Sequence, residues 1–109
     1  MADLPLAALL GRGARYSGEM AFEGRVRVDG HFTGRIVTED VLEIGESGTV
    51  EGEIDAATLV IAGSVKATVH ARDRIVVQST GQLAGKADCS TLEVAPGARI
   101  HAELRVGGG

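Results

Sequence analysis

The chain has 109 residues, a net charge of −4, two Phe, one Tyr and no Trp. That length suits one small domain that buries about two-thirds of its unfolded surface, and it leaves Val, Ile, Leu and Ala to build the core. Without a basic stripe or interleaved aromatics there is no platform for nucleic acid, and a lone cysteine, Cys89, rules out an internal disulfide and fits a reducing cytoplasm.

Residues 1–16 read as a flexible tail. Its apolar run, Leu4-Pro-Leu6-Ala-Ala-Leu9-Leu10, lacks the basic start of a secretory signal and is far short of the roughly 20 residues that cross a bilayer. From residue 17 the chain repeats. Val26-Arg-Val28-Asp29 recurs as Leu42-Glu-Ile44-Gly45, Leu59-Val-Ile61-Ala62, Ile75-Val-Val77-Gln78 and Leu92-Glu-Val94-Ala95, so successive copies start 16, 17, 16 and 17 residues apart. A period this regular is one coil of a solenoid.

A second motif, apolar-x-small-x-apolar, follows each copy: Phe32-Thr-Gly34-Arg-Ile36, Val50-Glu-Gly52-Glu-Ile54, Val65-Lys-Ala67-Thr-Val69, Leu83-Ala-Gly85-Lys-Ala87 and Ile100-His-Ala102-Glu-Leu104. Alternation of this kind is the strand period, so each coil carries short strands with one face inward. The central Gly or Ala is expected to point inward too, into an interior too narrow for anything larger. Some coils carry two extra residues between the motifs, held in turn formers such as Gly45-Glu-Ser-Gly48, Ser79-Thr-Gly81 and Ala95-Pro-Gly97.

If the columns are real, unlike charges stack on the outside: Arg27 beside Glu43, Arg35 beside Glu53, Glu51 beside Lys66, Lys86 beside Glu103, and His70 between Asp55 and Asp88. Exposed pairs contribute roughly 0–1 kcal/mol each, so they select register more than they stabilise.

No catalytic, cofactor or metal site emerges. Gly81-Gln-Leu-Ala-Gly85-Lys86 falls short of a phosphate-binding loop and Gly45-Glu-Ser47-Gly48 is not a nucleophile elbow. His31 and His101 lie four coils apart, roughly 19 Å at the strand spacing, too far to share an ion. His70 has acidic neighbours but no nucleophile partner, and reads as a surface residue. Cys89 reads as a small packed residue. The chain is not expected to be an enzyme.

Phe22-Glu-Gly24-Arg-Val26-Arg-Val28-Asp29-Gly30-His-Phe32-Thr-Gly34-Arg-Ile36, followed by Leu42-Glu-Ile44-Gly45-Glu-Ser-Gly48-Thr-Val50-Glu-Gly52-Glu-Ile54, resembles the bactofilins, a family of bacterial cytoskeletal proteins, and the resemblance runs from about Ser17 to Val106. It implies an all-β, single-domain, three-sided right-handed parallel β-helix over residues 17–106, of five to six coils, with short tails at 1–16 and at Gly107-Gly-Gly109. It further implies end-to-end self-assembly without nucleotide or other cofactor into non-polar filaments that serve cell-shape or envelope machinery, in the cytoplasm at the inner face of the membrane. Leu4, Leu6, Leu9 and Leu10 would then be a membrane tag, weak alone but multiplied along a polymer.

Elementary physics agrees that such a domain should polymerise, because an uncapped β-helix exposes unpaired backbone and apolar wall residues at both ends. Met20, Phe22, Val26 and Phe32 are expected to form the N-terminal contact, and Ile100, Leu104 and Val106 the C-terminal one. The family often presents an aromatic residue in its C-terminal coil, whereas here both Phe lie near the N-terminal end. Two other readings compete: a monomeric β-helical adaptor, favoured if the N-terminal segment caps the first coil, and a left-handed acyltransferase-like helix, whose strict six-residue step this chain does not keep.

Overall fold

The computed structural model describes residues 6–107, and among them the regular structure is all strand. In chain order the strands are β1 (Leu6–Leu10), β2 (Arg15–Phe22), β3 (Arg25–Val28), β4 (His31–Thr38), β5 (Val41–Ile44), β6 (Thr49–Ile61), β7 (Ser64–Val77), β8 (Gln82–Val94) and β9 (Arg99–Val106). Every pairing between them is parallel and joins one coil to the next. The result is a parallel β-solenoid of about five turns.

The repeat motifs stack as columns. Val26, Leu42, Leu59, Ile75 and Leu92 are successive register partners on one face. Phe32, Val50, Val65, Leu83 and Ile100 form a column on the second face, and Ile36, Ile54, Val69, Ala87 and Leu104 one on the third. These inward residues are buried through the middle coils. Branched aliphatics predominate because they pack across a pleated wall with little rotamer freedom to lose.

The column of small residues has a different cause from the one expected. Ala67 does point into the core, at 6% exposure. The glycines instead make the corner between the second and third faces. Gly34 and Gly52 have φ of 130° and 122°, a region that side chains avoid, and a Cβ on Gly52 would run into the carbonyl oxygen of Gly34 one coil back. The chain turns at this corner by backbone conformation rather than by thinning of the core.

At the opposite corner the connections vary in length without disturbing the walls. Gly48 N–H donates to Gly45 O at 2.8 Å and Gly81 N–H to Gln78 O at 2.8 Å, closing the longer turns. Coil-to-coil bonds continue through the corner: Gly45 N–H to Val28 O, Ala62 N–H to Ile44 O and Gln78 N–H to Ile61 O, all within 2.9 Å. Extra residues therefore project outward while the ladder keeps its step.

The outer charges fall where the register places them. Arg27 Nη1 lies 3.9 Å from Glu43, Arg35 Nε 3.7 Å from Glu53 and Lys86 Nζ 3.8 Å from Glu103. His70 sits between Asp55 and Asp88, with Nδ1 3.3 Å from Asp88 Oδ2. Glu51 is beside Lys66 in register, but its carboxylate meets His31 Nε2 at 3.2 Å on the other side.

Residues 6–16 depart from the expected tail. β1 pairs with β3, with Leu10 opposite Val28, and β2 pairs with β4 from Arg15 onward. The solenoid thus has an additional coil at its N-terminal end. Leu4 and Gly108-Gly109 lie outside the described residues.

Candidate functional site

The features that stand out chemically are the two ends. At the C-terminal end, β9 pairs only with β8 among the described residues, and its other edge carries unsatisfied backbone groups. Leu104 is 37% exposed and Val106 50%, while Ile100 is half-buried. The first face ends one strand earlier, so Val94, at the end of β8, is 46% exposed. Val94 joins this apolar end although its motif marks it only as a wall residue; its position in the last copy of the repeat is the signal that identifies it. Leu92, half-buried, lies beside it.

At the N-terminal end, β2 presents its free edge with Tyr16, Met20 and Phe22 half-buried against the core. The Tyr16 hydroxyl accepts from Gly11 N–H at 3.3 Å and fixes the turn between β1 and β2. Val26 and Phe32 do not belong to this end. Both are fully buried, because the coil formed by β1 and β2 covers them: Ala8 lies opposite Val26 and Tyr16 opposite Phe32. Expecting the solenoid to begin at residue 17 placed them one coil too close to the surface.

The membrane-tag residues separate in the same way. Leu6, Leu9 and Leu10 lie in β1; Leu10 is 6% exposed, and its carbonyl accepts from Asp29 N–H at 2.8 Å and Gly30 N–H at 3.0 Å. Leu10 is a core residue and does not reach lipid in this fold. β1 does not cap the first coil either, since a parallel strand laid on a solenoid renews its open edge.

A cleft of roughly 640 Å³ opens beside the Gly45–Gly48 turn. Part of its charged lining is paired internally: Arg27 Nε bonds Asp29 at 3.0 and 3.2 Å, and that hydrogen bond, then the charge of Asp29, holds the guanidinium pKa above its usual value. No cluster of three or more His, Cys, Asp or Glu suited to a metal occurs among the described residues. Burial pushes the Cys89 thiol pKa up, opposed by a backbone hydrogen bond from Ile75 and reinforced by Asp88.

Among the described residues, terminal strands β2 and β9 each keep one edge unpaired with apolar side chains beside it, which defines a self-complementary solenoid, and similarity to known proteins agrees with that class. The family model for bactofilins, described as polymer-forming cytoskeletal, matches residues 8–105. The chain belongs to the bactofilin family. It is similar to the Thermus thermophilus bactofilin seen in a cryo-EM reconstruction of double helical filaments, with 31% identity, 92% of this chain and 99% of that one covered, and a TM-score of 0.85. A crystal structure of a phenylalanine-to-arginine mutant of Thermus thermophilus bactofilin matches with 27% identity, covering 92% and 98% of the two chains, at a TM-score of 0.62. Comparison with curated proteins gave no match. The family match begins at residue 8 and so takes in β1, and it displaces the acyltransferase reading.

Proposed function

We propose that this protein is a cytoskeletal scaffold that assembles end to end, without nucleotide, into non-polar filaments supporting cell shape or envelope-associated machinery. The observation that carries the reading is that, among the described residues, each end of the solenoid is an edge strand with apolar residues beside it: Met20 and Phe22 at one, Val94, Leu104 and Val106 at the other. A similar chain forms filaments. Independence from nucleotide is supported by Gly81–Lys86, which runs from a turn straight into β8 with no helix N-terminus to receive phosphate. Contact with the inner face of the membrane is proposed through the segment ahead of β1, because Leu10 is committed to the core.

The edge charges support non-polar stacking. If β2 of one copy continued the parallel ladder of β9 in another, the columns would set Arg99 against Arg15 and Glu103 against Glu19. Both charged positions would then meet their like, whereas inside the chain the same register brings unlike charges together. Head-to-head and tail-to-tail contacts avoid this and are isologous.

Electron microscopy of the purified protein in plain buffer tests the proposal. Thin unbranched filaments are expected. Discrete particles at every concentration and salt would overturn it in favour of a monomeric adaptor.

A further inference from the structure

The C-terminal end has few ways to meet its own copy. Two stacked three-sided solenoids superimpose their walls only if the two-fold axis, perpendicular to the solenoid axis, passes through the middle of one face and the opposite corner. Three such axes exist. Each pairs β9 with a partner β9 antiparallel, and each keeps inward residues opposite inward ones, as the period of two demands.

An axis through the corner at Ala102 sets Ile100 opposite Leu104 of the second copy, but on the outside it sets Arg99 against Arg105 twice. An axis through the second face at Ile100 sets Arg99 against His101 twice and gives neither an acidic partner. An axis through the third face at Leu104 sets Leu104 against its own copy, Ala102 against Val106 twice and Glu103 against Arg105 twice. The last choice alone pairs every charge on that face with its opposite. It also sets the first face, with Leu92 and Val94, on the side of the second copy's Ile100 face, so apolar residues face apolar ones there.

We infer that the C-terminal ends of two copies join about a two-fold axis at Leu104, in antiparallel register, with Glu103 and Arg105 as the residues that fix that register. The inference rests on the non-polar reading above and specifies the contact within it. The existing partners permit the exchange. Glu103 holds Lys86 at 3.8 Å and Arg105 holds Asp88 at 3.8 Å, and Glu103 and Arg105 are exposed, so each bond is loose and each side chain has room to serve both coils.

Cysteine pairing reads the register directly. Residues directly opposite in an antiparallel pair have Cβ atoms about 4.5–5.5 Å apart, close to what a disulfide requires. In a Cys89→Ala background, mild oxidation of Leu104→Cys is expected to convert most of the protein to a covalent dimer, while Ala102→Cys and Ile100→Cys stay monomeric on a denaturing gel. A mixture of Glu103→Cys and Arg105→Cys proteins should give the mixed dimer in excess over either homodimer, and this arm leaves the apolar contact untouched. Dimers from Ala102→Cys or Ile100→Cys would move the axis and overturn the inference. So would a Met20→Cys with Leu104→Cys mixed dimer, which requires polar stacking. Because the gel reads dimers whether or not filaments form, filaments without the Leu104 cross-link defeat the register alone, and absence of filaments in the wild type defeats the polymer reading.

Discussion

The Thr38 hydroxyl donates to the carbonyl oxygen of Gly24 at 2.6 Å and accepts from the backbone N–H of Asp40 at 3.3 Å. Thr38 is also the buried polar residue of the core, at 1% exposure. It ties the corner before β3 to the corner after β4, one coil away in sequence. Thr38→Val keeps the shape and leaves both backbone groups without their partner, which costs about 1–3 kcal/mol. Chemical denaturation should show the loss as a lower midpoint with unchanged slope; an unchanged midpoint would mean that water replaces the hydroxyl.

Gly52 and Gly13 separate two penalties. Both have positive φ, 122° and 82°, but a Cβ on Gly52 meets the Gly34 carbonyl whereas one on Gly13 meets nothing within 4 Å. Strain alone costs about 1–3 kcal/mol. Gly13→Ala is expected within that range and Gly52→Ala beyond it, with thermal melting as the measure and roughly 4–8 °C lost per kcal/mol. Equal losses would show that the corner relaxes around a methyl group.

Val94→Asp should uncouple assembly from folding. The side chain is 46% exposed at the end of β8, so the isolated subunit should change by no more than about 0.5 kcal/mol. Sedimentation should find the variant in the supernatant under conditions where the wild type pellets. A variant that still pellets would remove Val94 from the contact.

Cys89 carries an alkaline signature. Its folded pKa lies above the ordinary 9.0, chiefly through burial, so above pH 9 the unfolded chain releases a proton that the folded one retains. Stability contributed this way is present below about pH 9 and falls as pH rises toward the folded value. Cys89→Ala should flatten that part of the stability profile, and thiol reagents at pH 8 should label the wild type slowly until denaturant is added.

Much of this architecture is written in the repeat, because a column such as Leu42, Leu59 and Ile75 needs only period and hydrophobicity to be found. β1 was harder to read. Leu6-Ala-Ala-Leu9-Leu10 does not alternate, and its pairing with β3 is interrupted by a register shift between Leu6 and Ala8. The clue is Gly11-Arg-Gly13, which occupies the corner that Gly45-Glu-Ser-Gly48 occupies two coils on. The small-residue column was legible as a column and ambiguous as to cause, since a crowded interior and a left-handed corner both select glycine. End contacts were least legible, because exposure there depends on where the stack stops: the motif that buries Ile61 and Val77 leaves Val94 open.

The longest strands, β6, β7 and β8, have 13, 14 and 13 residues, against 5 in β1 and 8 in β9 at the two ends. Each coil leans only on its neighbours, so opening begins at the terminal coils and travels inward, and amide exchange in the free subunit should be graded from fast ends to a slow centre. Joining ends removes the places where opening starts. Inside a filament every coil acquires two neighbours, and the gradient survives only at the tips, so the lifetime of a subunit depends on how far it sits from the nearest end.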